Sequence, residues 1–151
     1  MTSRLHHASI TTPDIDRLSL FYCEQFGFER VMEVAWAGDN PMADLIYGLR
    51  ATAVKMVMLK AGNAFLELFE FAHPVGAPGQ PARPVCDVGI THICICVDDV
   101  EKDYARLMAA GMSFNCPPQH VPGLCTATYG RDPDGNIVEL MQVDPDGPFA
   151  L

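Results

Sequence analysis

His7 and Asp14 stand seven residues apart, and so do His92 and Asp99. An Ile or Val follows the aspartate each time, as Ile15 and Val100. Each half also carries a glutamate in its last apolar stretch: Glu67, 60 residues after His7, and Glu139, 47 residues after His92. The difference of 13 equals the length of the irregular segment Gly38 to Arg50. The two halves therefore match once that insertion is removed. A repeat on this scale means one supersecondary unit used twice, and few folds satisfy it.

The elements follow from periodicity and punctuation. Arg4 to Thr11 alternates as a strand, with His7, Ser9 and Thr11 on one face and His6, Ala8 and Ile10 on the other. Thr12-Pro13-Asp14 starts a helix over Asp14 to Phe26, which Gly27 ends. Strands are predicted over Glu29 to Ala37, Ala53 to Leu59 and Ala64 to Phe71, with a short helix around Met42 to Tyr47. Residues 72–88 hold four prolines and two glycines and form a linker. A strand over Gly89 to Val97 follows, then a helix from Asp99 to Ala110 ended by Gly111. Ser113 to Cys116 is a short strand, Pro117 to Gly123 a loop containing His120, and Leu124 to Tyr129 a strand. The turn Asp132-Pro133-Asp134-Gly135-Asn136 then leads into the strand Ile137 to Leu140. Each half reads β-α-β-β-β. The fold class is α+β, with a first module over about 4–71, the linker at 72–88 and a second module over 89–143 of a single domain.

Bulk properties narrow the function. The 151 residues are 49% hydrophobic, enough for a sizeable core. A net charge of −9 argues against nucleic acid or an anionic membrane as the main partner. No apolar run reaches membrane-spanning length, and the polar start M-T-S-R-L-H-H lacks the character of a secretion signal. The expectation is a cytoplasmic protein whose six irregularly spaced cysteines stay reduced.

The chemistry resides in His7, Glu67, His92 and Glu139. A carboxylate inside an apolar strand costs several kcal/mol, roughly, unless a positive partner meets it. Two imidazoles and two carboxylates suit one borderline divalent ion, such as Zn, Ni, Co, Mn or Fe(II), with positions left open for substrate. A lone strand histidine is commonly a core or surface residue and a lone strand glutamate a solvated one. Duplication of all four favours the metal. Phe65, Phe69 and Phe71 share a face with Glu67, Cys94 and Cys96 with His92, and Ile137 and Met141 with Glu139. If the ligands face a cavity, it is apolar, aromatic and thiol-bearing, and suits an apolar or aromatic oxygen-bearing small molecule.

The stretches H-A-S-I-T-T-P-D-I-D, F-Y-C-E-Q-F-G-F, L-E-L-F-E, H-I-C-I-C-V-D-D-V and D-P-D-G-N-I-V-E-L together resemble the vicinal oxygen chelate superfamily. That superfamily takes in glyoxalase I, methylmalonyl-CoA epimerase, extradiol dioxygenases and the fosfomycin and bleomycin resistance proteins. The resemblance covers nearly the whole chain. It implies paired βαβββ modules in a half-open, eight-stranded mixed barrel (a glyoxalase-like fold), a homodimer, and metal ligands at His7, Glu67, His92 and Glu139. It also implies a substrate bound through vicinal oxygens, with Glu67 or Glu139 moving a proton next to a carbonyl.

Glu67 fits the four-ligand lyase and isomerase branch and would be superfluous in a two-His, one-carboxylate dioxygenase. Spacings of His120, Tyr129, Asp132, Pro133, Gly135 and Glu139 resemble the extradiol pattern instead. They would make His120 an acid/base and Tyr129 a donor to substrate oxygen. Thr128 and Pro118 depart from that pattern, and His120 also reads as a solvated loop residue. Thr11 replaces the arginine, and Phe71 the asparagine, that a glutathione site resembling glyoxalase I would carry. A third possibility is a metal-free binding protein of the resistance type, against which four intact ligands argue.

Overall fold

Asp14 and Asp99 each begin a helix by the same device. The aspartate backbone is extended, at φ −150° and −144°, and its carboxylate accepts from the amide three residues on, Arg17 or Lys102. This satisfies an amide that the helix geometry leaves unpaired. A second acceptor closes each helix start from the last strand of its own half. Glu70 Oε2 accepts the Ile15 amide at 2.9 Å, and Gln142 Oε1 accepts the Val100 amide at 3.1 Å. Glu70 and Gln142 each lie three residues beyond the strand glutamate, so the duplication extends to how helix and sheet are joined.

The computed structural model describes residues 3–150, leaving Met1 and Thr2 of the polar start outside the described residues. They divide into two compact units between Gly79 and Gln80, inside the Pro/Gly-rich linker. The first unit runs β1 (His7–Thr11), α1 (Ile15–Phe26), β2 (Glu29–Ala37), α2 (Pro41–Tyr47), β3 (Ala53–Ala61) and β4 (Ala64–His73). Its sheet order is β1-β4-β3-β2, with β1 parallel to β4 and the other pairs antiparallel. Leu66, Leu68, Val57 and Leu59 on one face, with Ile15, Leu18 and Tyr22 of α1, form the buried core. Gly27 ends α1 at φ +69°, as the sequence predicts.

The second unit runs β5 (Ile93–Cys96), α3 (Val100–Ala109), β6 (Ser113–Phe114), β7 (Gln119–Val121), β8 (Cys125–Arg131) and β9 (Ile137–Val143). The order β5-β9-β8-β6 repeats that of the first unit, again with a parallel outer pair. Here Val138, Leu140, Val100 and Leu107 are buried. β6 and β7 both pair with β8 and together occupy the place of β2. Pro117 and Pro118 lack amides and break that strand. The carbonyl of Cys116 at the break is recovered by the buried hydroxyl of Thr128, which donates to it at 2.6 Å. His120, expected in a loop, thus lies on a short strand.

The length difference between the halves falls in the β2–β3 connection, which holds α2, against a short turn between β7 and β8. Asn40 caps α2, Pro41 opens it and Gly48 closes it at φ +67°. All six cysteines are free thiols. Among the described residues no helix is long and apolar enough to cross a membrane, which says nothing of strands.

Candidate metal centre

In the first unit the parallel register sets Ser9 opposite Glu67 and His7 opposite Phe65. His7 and Glu67 therefore meet diagonally across two adjacent strands, Nε2 to Oε2 at 3.5 Å. In the second unit Cys94 stands opposite Glu139, and His92 lies two residues before Cys94. The same diagonal brings His92 Nε2 to 2.9 Å from Glu139 Oε2. Both glutamate side chains are only 16% exposed. Two histidine–carboxylate pairs thus arise from one register used twice.

A divalent ion fits such a pair. Nitrogen and oxygen ligands at about 2.0–2.2 Å from one ion lie roughly 3 Å or a little more from each other, and the two observed separations bracket that distance. His92 Nδ1 is buried without a hydrogen-bond partner among the described residues, a state that a buried polar nitrogen rarely keeps unless a further group completes it. Among the described residues no group of three or more His, Cys, Asp or Glu is gathered into a metal-holding cluster. Each unit holds its own histidine–carboxylate pair.

The third strand of each sheet supplies the next neighbour. Met58 stands opposite Glu67, and Tyr129 stands opposite Glu139. The Tyr129 ring lies 4.9 Å from that of His92. Burial raises the Tyr129 phenol above its usual range, and the Glu139 carboxylate adds to the rise. Its hydroxyl stays a donor at neutral pH. Cys94 is exposed as a residue, yet desolvation pushes its thiol up to about 12, with Glu139 and Cys96 adding to the rise. A thiol held in that form is a poor nucleophile.

His120 is placed elsewhere. It pairs with Thr126, whereas Glu139 pairs with Tyr129 three residues further along β8. Odd and even positions of a strand face opposite ways, so His120 and Tyr129 lie on opposite faces of the sheet. His120 Nδ1 meets the Thr126 hydroxyl at 3.1 Å and lies 3.9 Å from Asp144 Oδ1, with the side chain 56% exposed. The structure brings Tyr129 to the His92–Glu139 pair and leaves His120 away from it.

The turn before β9 is structural. The Asp132 carboxylate, 5% exposed, accepts the Asp134 and Asn136 amides at 2.9 Å and the Asn136 side-chain amide. Gly135 takes φ +85°, and a Cβ there would fall on Pro81. The D-P-D-G-N string sets where β9 begins and hence the register of Glu139.

Two aromatic residues of the first unit that lie against each other, Tyr47 and Trp36, are not singled out by the sequence pattern. Tyr47, on the inner side of α2, lies 5.6 Å from the Phe69 ring and 6.1 Å from those of Phe71 and Trp36. Burial raises its phenol, and Glu67 raises it further. The spacing of Ala43 and Tyr47, one helical turn, was the available signal for an inward face.

A βαβββ unit used twice, with a histidine–carboxylate pair on each sheet, defines a class of duplicated α+β proteins. The family model of the Glyoxalase/Bleomycin resistance protein/Dioxygenase superfamily matches residues 4–140, and the chain belongs to that superfamily. Biphenyl-2,3-diol 1,2-dioxygenase 3 of Rhodococcus globerulus is 29% identical over 147 residues, covering 95% of this chain and 65% of that protein. Lactoylglutathione lyase of Schizosaccharomyces pombe is 26% identical, covering 99% of this chain and 50% of that protein. The chain thus spans about half to two-thirds of the length of these relatives. A crystal structure of a glyoxalase family protein from Bacillus cereus superposes with a TM-score of 0.84 at 20% identity, covering 95% of each chain. That likeness speaks to the fold, which is the expected glyoxalase-like one.

Proposed function

We propose that the chain is a divalent-metal-dependent enzyme of the lyase/isomerase kind. It moves a proton next to a carbonyl of a small substrate that chelates through neighbouring oxygens. His7, Glu67, His92 and Glu139 hold the ion. The observation that carries this reading is the repeated register: Glu67 pairs with His7 just as Glu139 pairs with His92. A chemistry needing one carboxylate would leave no reason for the first pair.

The bound ion supplies Lewis-acid stabilisation of charge developing on the substrate oxygens, worth several kcal/mol, roughly. The protein's side chains do the rest. A glutamate carboxylate oxygen, of Glu67 or Glu139, takes the proton from the carbon beside the carbonyl and returns it. The Tyr129 hydroxyl donates a hydrogen bond to a substrate oxygen on the Glu139 side. The apolar rings beside Glu67 keep water from the reacting carbon. Thr11 and Phe71, where a glutathione site would need charged and polar groups, support a substrate without glutathione. The protein is proposed to work as a cytoplasmic homodimer on small molecules, with neither nucleic acid nor membrane as partner.

A second reading is a single-barrel Fe(II) dioxygenase that cleaves catechol rings. The likeness to the Rhodococcus dioxygenase and the position of Tyr129 favour it. The position of His120, on the opposite sheet face, weighs against the acid/base that this reading requires. A metal-free binding protein of the resistance type is a third reading, and the paired ligands weigh against it. Glu67→Ala separates the first two. Proton transfer requires that the variant lose metal affinity and activity together. Retained Fe(II)- and O₂-dependent ring cleavage in Glu67→Ala would overturn the proposal.

A further inference from the structure

The β2–β3 insertion is the one large difference between the halves, and it carries an aromatic residue to the Glu67 face. Tyr47 stacks on Trp36 with an interplanar angle of 22° and meets Phe69 and Phe71 edge-on at 76° and 72°. None of these four rings is fully buried. A tight polar chain holds the corner in place. Trp36 Nε1 donates to the Thr52 hydroxyl at 2.9 Å, and that hydroxyl donates to Asp44 of α2 at 2.6 Å. Asp44 also accepts the Ala51 and Thr52 amides at 2.7 and 2.9 Å. With its N–H so engaged, Trp36 offers only its ring.

We infer that Trp36, Tyr47, Phe69 and Phe71 form a platform that binds a single aromatic ring carried by the substrate, so that the enzyme selects aryl over alkyl compounds. This rests on the metal-centre reading for the position of the substrate's oxygens. Phe69 lies two residues beyond Glu67, about 7 Å along the strand. An aryl group bonded directly to the oxygen-bearing carbons spans that gap, and a methyl group does not. With Trp36 stacked on Tyr47, Phe69 and Phe71 steep to Tyr47, and these two tilted 45° to each other, the cluster presents both faces and edges, which aromatic partners prefer. The second unit has a short turn in place of that insertion and sets the Tyr129 ring beside its pair.

Trp36 is the only tryptophan of the chain, so its emission reports on the platform directly. Zinc-loaded full-length protein is titrated with phenylglyoxylate and, separately, with pyruvate, its methyl counterpart. Phenylglyoxylate is expected to change Trp36 emission saturably, with half-saturation at least about tenfold below that of pyruvate. In Tyr47→Leu, followed by calorimetry, the ratio is expected to fall towards one with pyruvate affinity and zinc content unchanged. Equal half-saturation in the wild type overturns the platform without any variant, and so does a ratio that survives in folded Tyr47→Leu. Zinc-free protein titrated with benzyl alcohol and ethanol tests the platform apart from the metal. A retained aryl preference there, beside failed zinc uptake, would locate the fault in the metal reading. No preference there would overturn the platform.

Discussion

Glu139 and Glu67 show how little of a residue's role is visible in its own type. Each is a strand carboxylate, largely hidden from solvent, whose meaning comes from a histidine one strand away in a fixed register. Replacing either by Gln keeps the shape and removes the charge. Each variant is expected to bind divalent metal at least about a hundredfold more weakly, beyond the 10–100-fold typical of groups that only support a ligand, as read by competition with a chromogenic chelator. Asp44 offers a pH test. Its Thr52 and Ala51 hydrogen bonds hold its carboxyl below the usual value of 3.8. The unfolded chain therefore binds this proton first as pH falls. The stabilisation is fully present above about pH 4 and is lost as pH drops through the lower folded value. Asp44→Asn is expected to flatten the fall in urea midpoint between pH 6 and pH 3; an unchanged acid slope would contradict it. His7, Glu67, His92 and Glu139 could be read from the chain because spacing repeats. Trp36 and Tyr47 could not, because an insertion has no counterpart to be compared with.

At the scale of elements, the helices were legible from their caps and the strands from alternation. Two features were not. The sequence pattern places His120 in a loop over Pro117 to Gly123, yet β8 captures the chain again at Gln119. Its side-chain direction depends on a pairing register that no local pattern encodes. The joining of helix to sheet by Glu70 and Gln142 was hidden for a different reason: a contact spanning 55 or 42 residues leaves no local trace. Gln142→Ala should free the Val100 amide and lower stability by about 1 kcal/mol, measured by urea unfolding. Gly135→Ala should cost more, about 1–3 kcal/mol, because both the positive φ and Pro81 oppose a Cβ. Equal and negligible effects from both would show that the turn and the helix joint tolerate change.

For the molecule as a whole, the duplication was the most legible property and the chemistry the least. The repeat predicts the order of elements in each unit and the βαβββ topology, since equal spacings require equal register. It carries no information on substrate, because one fold serves relatives as different as a dioxygenase and a lyase. The claim on which the proposed function rests is that these two pairs serve a divalent ion. Elemental analysis of protein purified without chelator, compared with the His7→Ala variant, tests it directly. The prediction is stoichiometric divalent metal in the wild type, removed by chelator, restored by dialysis and missing in the variant. Wild-type protein that arrives empty and takes up none of Zn, Ni, Co, Mn or Fe(II) would contradict it.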